Sequence, residues 1–129
     1  MTDYHFNLST VRSLDDWWDQ YLRVVNGEGS GFFGRNRDAY NDSLNGGPGA
    51  PRRPCRFIFA QCAALDRDLA LAVTRRELEH MRTRVHPTNI VNVDAQLKLL
   101  RCGIGPTILN WIIDPPIEAG IEVVVKPGA

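Results

Sequence analysis

The run Cys55-Arg56-Phe57-Ile58-Phe59-Ala60 follows Pro54 and is mostly apolar. A short apolar run after a proline is typical of a strand buried at the middle of a small sheet. Two further runs favour strands: Tyr4–Leu8 alternates aromatic or apolar residues with polar ones, and Ile121–Val125 is rich in β-branched valine. Helical patterns separate the three runs, as in parallel sheets with right-handed crossovers. The sequence therefore predicts an α/β fold, with a small parallel sheet of three strands, or four, and helices packed on it.

The segment after the first strand begins with a strongly amphipathic helix. Ser13 and Asp16 form a capping-box-like pair at its start, and Gly27 marks its end. Its apolar residues recur at steps of three and four: Leu14, Trp17, Trp18, Tyr21, Leu22 and Val25. Aromatic stripes also occur in ligand sites, but these residues lie on the one face that the helix must bury. Core packing is therefore the preferred interpretation.

A second, shorter helix is predicted to begin after Asn36, which can serve as its N-cap. Asp38 falls in the first turn, near the positive end of the helix dipole, and Gly46-Gly47 ends the helix. The side that can turn inward consists of Ala39, Tyr40 and Leu44.

The opposite side of this helix carries two carboxylates and two amides. With 3.6 residues per turn, Asp38 and Asp42 lie on one face, and Asn41 and Asn45 lie beside them. Two like charges at this spacing oppose helix formation by roughly 0.2–0.5 kcal/mol. Spacing alone leaves two interpretations open: the acids are solvated surface residues, or they bind a partner.

The second half of the chain carries further helical patterns. The longest runs from about Arg67 to Val85, with charges such as Glu77 facing outward and an inward stripe of Leu71, Thr74, Leu78, Met81 and Val85. Asn89–Val93 is a short β-like run whose pairing the sequence does not assign, and Asp94–Cys102 is a helical segment closed by Gly103.

Prolines shape the last predicted helix. Pro106 is expected to be its first residue, a position that proline favours. Asp114-Pro115-Pro116 must then break or kink it, because proline lacks the amide hydrogen that a helix interior requires.

Composition limits the classes of function. The chain has 129 residues, 43% hydrophobic and 23% charged, so we expect one globular domain over residues 1–129. Fifteen basic residues balance fifteen acidic ones, so no overall field attracts nucleic acid or a membrane. Arg52, Arg53 and Arg56 are interpreted as solvated, not as a phosphate site. No apolar run approaches about 18 residues, so we expect no membrane span.

The cysteines and histidines predict neither a metal site nor a cofactor. The chain has three cysteines, an odd number, and they are widely spaced: Cys55, Cys62 and Cys102. This pattern argues against a disulfide framework and against a structural zinc site. His80 and His86 do not share a helical face. The first residues lack the basic start and apolar run of a signal peptide. We therefore expect a cytoplasmic protein with reduced thiols.

The short acidic helix and the residues before it carry a longer pattern. The stretch reads Phe32-Phe33-Gly34-Arg35-Asn36-Arg37-Asp38-Ala39-Tyr40-Asn41-Asp42-Ser43-Leu44. It resembles, position for position, the aromatic-aromatic-Gly-x-Asn-x-Asp-Ala-x-x-Asp-x-Leu signature of the barstar family, the intracellular inhibitors of barnase-type ribonucleases. The resemblance extends to the first helix and to all three predicted strands, and covers roughly two thirds of the chain.

This resemblance implies a barstar-like fold and a binding function. In that family the helix inserts its two acids into the cationic active site of the nuclease, where they stand in for RNA phosphates. The resemblance thus implies that Asp38 and Asp42 contact the partner, a cognate ribonuclease or another toxin protein with a cationic active site. The remaining partner-binding residues would be Phe32, Phe33, Gly34, Asn41 and Asn45.

The chain also departs from the family pattern. Phe32 and Asn41 stand where the inhibitor that names the family has tyrosine and tryptophan, and Pro115 stands where it has a further acid. Residues 63–105 have no clear counterpart, so the chain resembles an enlarged variant.

Three hypotheses of function remain. The first is an immunity protein or antitoxin that blocks a toxin ribonuclease with Asp38 and Asp42. The second is an interaction module of the same fold that binds another toxin or a regulator. The neutral net charge of the chain would suit such a module. So would Arg35 and Arg37, which lie near the acids and are expected to cancel part of their field. The third is an enzyme that uses the acids for proton transfer or as magnesium ligands. We predict no enzyme, because no nucleophile with a base partner is visible.

Overall fold

The sheet consists of three parallel strands: β1 (Thr2–Asn7), β2 (Cys55–Ala60) and β3 (Glu122–Val125). They belong to a computed structural model, which describes residues 1–26, 35–64, 67–103 and 106–128. β2 lies between its neighbours, with Cys55 opposite Thr2 and Arg56 opposite Glu122. The predicted parallel sheet with the apolar run at its middle is confirmed, and no fourth strand joins it within the described residues.

Five α-helices connect the strands in the described part of the chain. α1 (Leu14–Tyr21), which continues as a π-helical segment (Leu22–Asn26), and α2 (Arg37–Leu44) lie between β1 and β2. α3 (Arg67–Arg82), α4 (Ile90–Arg101) and α5 (Ile108–Glu118) lie between β2 and β3. The structure is therefore a small α/β fold, as the alternation of patterns predicts.

The core is dominated by aromatic side chains from strands and helices distant in sequence. The ring centroid of Phe6 lies 5.1 Å from that of Phe57, 5.3 Å from that of Phe59 and 4.9 Å from that of Trp17. Trp17 and Tyr21 are fully buried. The prediction that the aromatic stripe of α1 packs in the core is confirmed.

The start of α1 is fixed from two directions. Ser13 Oγ accepts a hydrogen bond from the Asp16 amide at 3.1 Å, as the capping pattern predicts. Glu77 of α3 also reaches this end, because its Oε1 accepts a hydrogen bond from the Leu14 amide at 2.8 Å. Glu77 is therefore not the outward charge predicted, but a half-buried link between α1 and α3.

The segment around Asn89–Val93 is helical, which corrects its assignment as a β-like run. Pro87–Asn89 forms a 3-10 turn, and α4 begins at Ile90. Its buried residues Val93, Leu97 and Leu100 recur at helical spacing, and α4 packs on α3. Packing therefore prevails over the strand preference of the β-branched residues. The long helix before it is shorter than predicted, since α3 ends at Arg82 and Val85 follows in a turn.

The last helix begins later and continues further than predicted. Thr107 is its N-cap, and the Thr107 amide donates to Oδ1 of Asn110 at 3.0 Å, so Pro106 precedes α5 and is not its first residue. The predicted break at Asp114-Pro115-Pro116 does not occur, because α5 continues to Glu118 with both prolines inside it.

A hydrogen bond from α2 explains how α5 accommodates one of these prolines. Pro116 has no amide hydrogen to donate to the Ile112 carbonyl, four residues earlier. That carbonyl instead accepts a hydrogen bond from the buried hydroxyl of Tyr40 at 2.7 Å. The missing helical donor is thus replaced from α2, and the two helices are joined.

We expect Tyr40→Phe to lower the free energy of unfolding by about 1–3 kcal/mol, because the Ile112 carbonyl loses this donor in a buried site. Urea denaturation measures the change. Tyr4→Phe is the matched control, since the Tyr4 hydroxyl accepts one amide hydrogen near the surface. In a Pro116→Ala background, which restores an amide hydrogen, the loss should be smaller; an equal loss in both backgrounds would contradict this account.

The two buried tyrosines should also make stability depend on alkaline pH. Burial raises the pKa of Tyr21 to about 12 and raises the pKa of Tyr40 well above its usual value. In the unfolded chain both hydroxyls ionise near pH 10, so above that pH the unfolded state binds fewer protons than the folded state. The free energy of unfolding should therefore fall by about 1.4 kcal/mol per pH unit for each tyrosine above pH 10. Tyr21→Phe should flatten this slope, and a pH-independent stability in this range would contradict the prediction.

Candidate functional site

α2 has one face built into the core and one face open to solvent. Asn36 is its N-cap, with Oδ1 accepting a hydrogen bond from the Ala39 amide at 2.7 Å. On the inward face, Ser43 Oγ lies 2.8 Å from the Tyr21 hydroxyl and donates to the Gly49 carbonyl, also at 2.8 Å. The predicted helix bounds and inward face are confirmed, and Ser43 is an additional inward residue that apolar periodicity does not reveal.

The structure brings four of the predicted site residues together on the open face. Asp38, Asn41, Asp42 and Asn45 are all exposed. The side-chain amide of Asn45 donates to the Asn41 carbonyl at 2.9 Å, so it also satisfies the C-terminal end of α2. The other three predicted residues, Phe32, Phe33 and Gly34, lie outside the described residues.

The C-terminal end of α2 contacts Arg53 and is followed by the closely packed Gly47. Arg53 Nη2 donates to the Leu44 carbonyl at 2.5 Å and to the Ala119 carbonyl, at the end of α5, at 3.1 Å. A cation at this position satisfies the last carbonyls and the negative ends of both helix dipoles. Gly47 packs so closely that an added Cβ would lie 2.6 Å from the Asp42 carbonyl oxygen. Arg53 is thus exposed, as predicted, and its Nη2 in addition links the ends of two helices.

The two arginines beside the acids are engaged elsewhere. Arg35 forms ion pairs with Asp19 at 2.9 Å and Asp15 at 3.4 Å, and the hydrogen bond to Asp19 raises its pKa. The backbone of Arg35 has φ 53°, in the left-handed region that a non-glycine residue rarely adopts. The charge of Arg35 is thus balanced by α1, which sequence spacing around α2 did not reveal.

Arg37 turns toward α5. Its guanidinium lies 4.4 Å from the ring centroid of Trp111, a cation–π contact. The residue keeps exposed surface, but burial of the guanidinium lowers its pKa, while the charge of Asp38 acts in the opposite direction. Contact with Trp111 therefore fixes Arg37 beside α5.

Two concave surfaces flank the N-terminal half of α2, and Arg37 and Asn41 line both. The larger, of about 590 Å³, lies between α1, α2 and α3 and has an apolar part formed by Leu14, Trp18, Met81 and Val85. The smaller, of about 370 Å³, lies between α2, α4 and α5 and includes Trp111. α2 therefore forms a ridge with a hollow on either side.

α5 adds two carboxylates to this surface. Asp114 and Glu118 are exposed and line the smaller hollow together with Asn41. Within the described residues, neither they nor Asp38 and Asp42 form an ion pair within 4 Å. The surface thus carries four carboxylates that form no close ion pair in this part of the chain, although the charge of Arg37 lies near Asp38.

Other kinds of site find little support in the described residues. No group of three or more histidine, cysteine, aspartate or glutamate side chains could hold a metal ion there. None of the helices described is long and apolar enough to cross a membrane.

No family model, curated protein or solved structure matches the chain.

We expect Arg53→Ala to lower the free energy of unfolding by about 0.5–2 kcal/mol, because α2 and α5 both lose a cation at their C-terminal ends. Arg52→Ala is the matched control, since the hydrogen bond of Arg52 to Tyr4 uses its backbone amide and survives the substitution. Thermal or urea unfolding compares the two variants. Equal stability of both variants would show that Arg53 does not support the helix ends.

Proposed function

We propose that this protein is a barstar-like inhibitor, an immunity protein or antitoxin that blocks the cationic active site of a toxin ribonuclease with α2. The observation that supports it best is the division of α2 into two faces. Tyr40, Ser43 and Leu44 are buried, whereas Asp38 and Asp42 are exposed without an ion pair in the described part of the chain.

Rigid presentation of the acids favours tight binding. A carboxylate pair on a helix that is already capped and packed loses little conformational entropy on association. The caps at Asn36 and Arg53 and the hydrogen bond of Tyr40 supply this rigidity. Carboxylates on a convex ridge match a concave site that binds phosphates through arginine, lysine or histidine side chains.

The acids of α5 extend the same surface. Asp114 and Glu118 lie beside the hollow that Asn41 lines, so a partner that covers α2 also meets these carboxylates. Negative charge spread over two helices speeds the encounter with a cationic partner.

Catalysis is a weaker proposal for the same residues. Asp38 and Asp42 are exposed on a ridge and not enclosed in a cleft, and Tyr40, which lies between them in sequence, is buried in the core. The free cysteines, Cys55, Cys62 and Cys102, suit a reducing compartment, so we propose a cytoplasmic site of action.

A second candidate is an interaction module for a toxin or regulator other than a ribonuclease. The larger hollow supports it, because apolar residues there meet charges of both signs, including Asp38, Glu77 and Arg84. Such a surface suits a protein segment with an apolar anchor better than it suits a row of phosphate-binding cations.

The experiment that tests the proposal is capture from an extract of the source cell. Wild-type chain and an Asp38→Ala/Asp42→Ala variant are used in parallel, with Glu79→Ala, an exposed acid of α3, as the matched control. We expect wild type and Glu79→Ala to retain a cationic protein that the double variant loses. That protein should cleave RNA, and the wild-type chain should stop the cleavage.

With the captured partner, Asp42→Ala should weaken binding by about 2–5 kcal/mol, mostly through faster dissociation, because the partner's cations are left buried and unpaired. Asp38→Ala should cost less, since by the resemblance to the barstar family Asp42 matches the more central of the two acids. Titration calorimetry and dissociation rates at low and high salt measure both variants, after circular dichroism confirms their folding. If both variants bind like wild type, recognition does not use α2. A partner without ribonuclease activity would favour the second candidate.

A further inference from the structure

The larger hollow beside α2 has an apolar floor that lies open between three helices. Leu14 and Trp18 of α1 form one side of this floor, and Met81 of α3 and Val85, which follows α3, form the other. Met81 and Val85 pack against the core on one side but are only half-buried. The hollow measures about 590 Å³, within the range of roughly 300–1,000 Å³ that is typical of ligand pockets. It can therefore hold a bulky apolar side chain.

We propose that this hollow receives a bulky apolar side chain, flanked by basic residues, from the protein that covers α2. The inference rests on the proposed function for the identity of that protein, and it adds where on the chain the protein is anchored and by which kind of residue.

The hollow is continuous with the face of α2 that we assign to the partner. Asp38 and Asn41 are exposed residues of that face and also line the hollow. A protein that covers this face therefore reaches the rim of the hollow. The opposite wall includes Glu77, Met81 and Val85, which belong to the part of the chain without a clear counterpart in the barstar family. The hollow is thus a feature of this chain that the resemblance does not imply.

The charges around the floor favour basic residues beside the apolar one. Among the described residues, acids and arginines both line the hollow: Asp15, Asp38, Glu77, Arg35, Arg37 and Arg84. Arg35 is already paired with carboxylates of α1, and Arg37 lies over a tryptophan of α5. Neither Asp38 nor Glu77 forms an ion pair within 4 Å in the described part of the chain.

These two acids stand on different walls of the hollow. Asp38 belongs to α2, and Glu77 belongs to α3, where its Oε1 is fixed by the Leu14 amide at 2.8 Å. A lysine or arginine on either side of the apolar anchor would therefore meet a carboxylate. Arg84 is the cation at the rim that opposes such a residue, and this opposition can be measured.

Blocked tripeptides test this preference on the full chain. The first carries tryptophan between two lysines, the second alanine between two lysines, and the third tryptophan between two glutamates. Met81 supplies the readout, because the chain has two methionines and carbon-13 labelling of their methyl groups gives at most two signals. Met81→Leu identifies the Met81 signal. Met1 lines a different hollow, so its signal is the internal control.

The peptide of tryptophan and lysine should shift the Met81 signal and leave that of Met1 unchanged. Its dissociation constant should be on the order of 1 mM, as expected for a single anchoring side chain. The other two peptides should bind at least about fivefold more weakly, since one lacks the apolar anchor and the other the basic residues. An unmoved Met81 signal, or equally tight binding of either other peptide, would overturn the proposal.

Charge substitutions at the rim test the role of the basic residues. At low salt and about pH 8, where histidine side chains are ordinarily neutral, Arg84→Ala should strengthen binding of the tryptophan–lysine peptide about twofold. Asp38→Asn should weaken it about twofold, because a carboxylate beside the peptide is lost. The same changes in the opposite directions would show that the hollow prefers acidic neighbours, and would overturn the proposal.

The captured partner provides the second test. Met81→Asp places a charge on the floor of the hollow and should weaken binding by at least about tenfold. Val91→Asp is the matched control, since it places the same charge on an exposed apolar residue of α4 and should leave binding unchanged. Circular dichroism confirms that both variants are folded.

The two tests separate this inference from the inhibitor function. If Asp42→Ala weakens binding of a captured ribonuclease and Met81→Asp does not, the inhibitor function stands and the anchoring inference is wrong. If the tripeptides bind as expected but no ribonuclease is captured, the preference of the hollow stands and the inhibitor function is wrong.

Discussion

The hydrogen bond from the Tyr40 hydroxyl to the Ile112 carbonyl joins the two helices on which the candidate site depends. α2 has eight residues, and isolated helices shorter than about 12–15 residues are marginal in water. It persists because the fold holds it: Asn36 caps its start, Arg53 its end, and Tyr40 is fully buried between them. A proline inside α5, normally costly, creates the free acceptor that makes this attachment possible.

Arginine placement explains how a chain of zero formal net charge presents an acidic surface. Arg35 pairs with two carboxylates of α1, Arg37 lies over Trp111, and Arg53 binds the ends of two helices. Each of these cations is tied to the scaffold, whereas Asp38 and Asp42 extend into solvent. Local geometry therefore separates charges that composition alone averages to zero.

The sequence predicts the parts of this fold that local signals determine. The central strand, the capped start of α1 and both ends of α2 follow from caps, glycines and periodicity within a few residues of each element. The first turn of α4, before the predicted helical segment at Asp94–Cys102, and the continuity of α5 could not be predicted in this way. The first depends on packing of Val93 against other helices, and the second on Tyr40, more than seventy positions away from Ile112 in the chain.

The sequence also predicts only those features of the candidate site that depend on local spacing. The exposed positions of Asp38, Asn41 and Asp42 follow from helical spacing, whereas the partners of Arg35, Arg37 and Arg53 are long-range contacts that spacing does not contain. That the acids bind a ribonuclease stays a prediction, based on the resemblance of the α2 region to the barstar family.

The division of α2 into an inward and an outward face has an evolutionary consequence. Tyr40, Ser43 and Leu44 stabilise the fold, and Asp38, Asn41 and Asp42 contribute little to it. Substitutions on the outward face are therefore expected to change the charge of this surface at little cost in stability. The outward face is thus free to vary one exposed residue at a time, while the core that supports the helix remains under a separate and stricter selection.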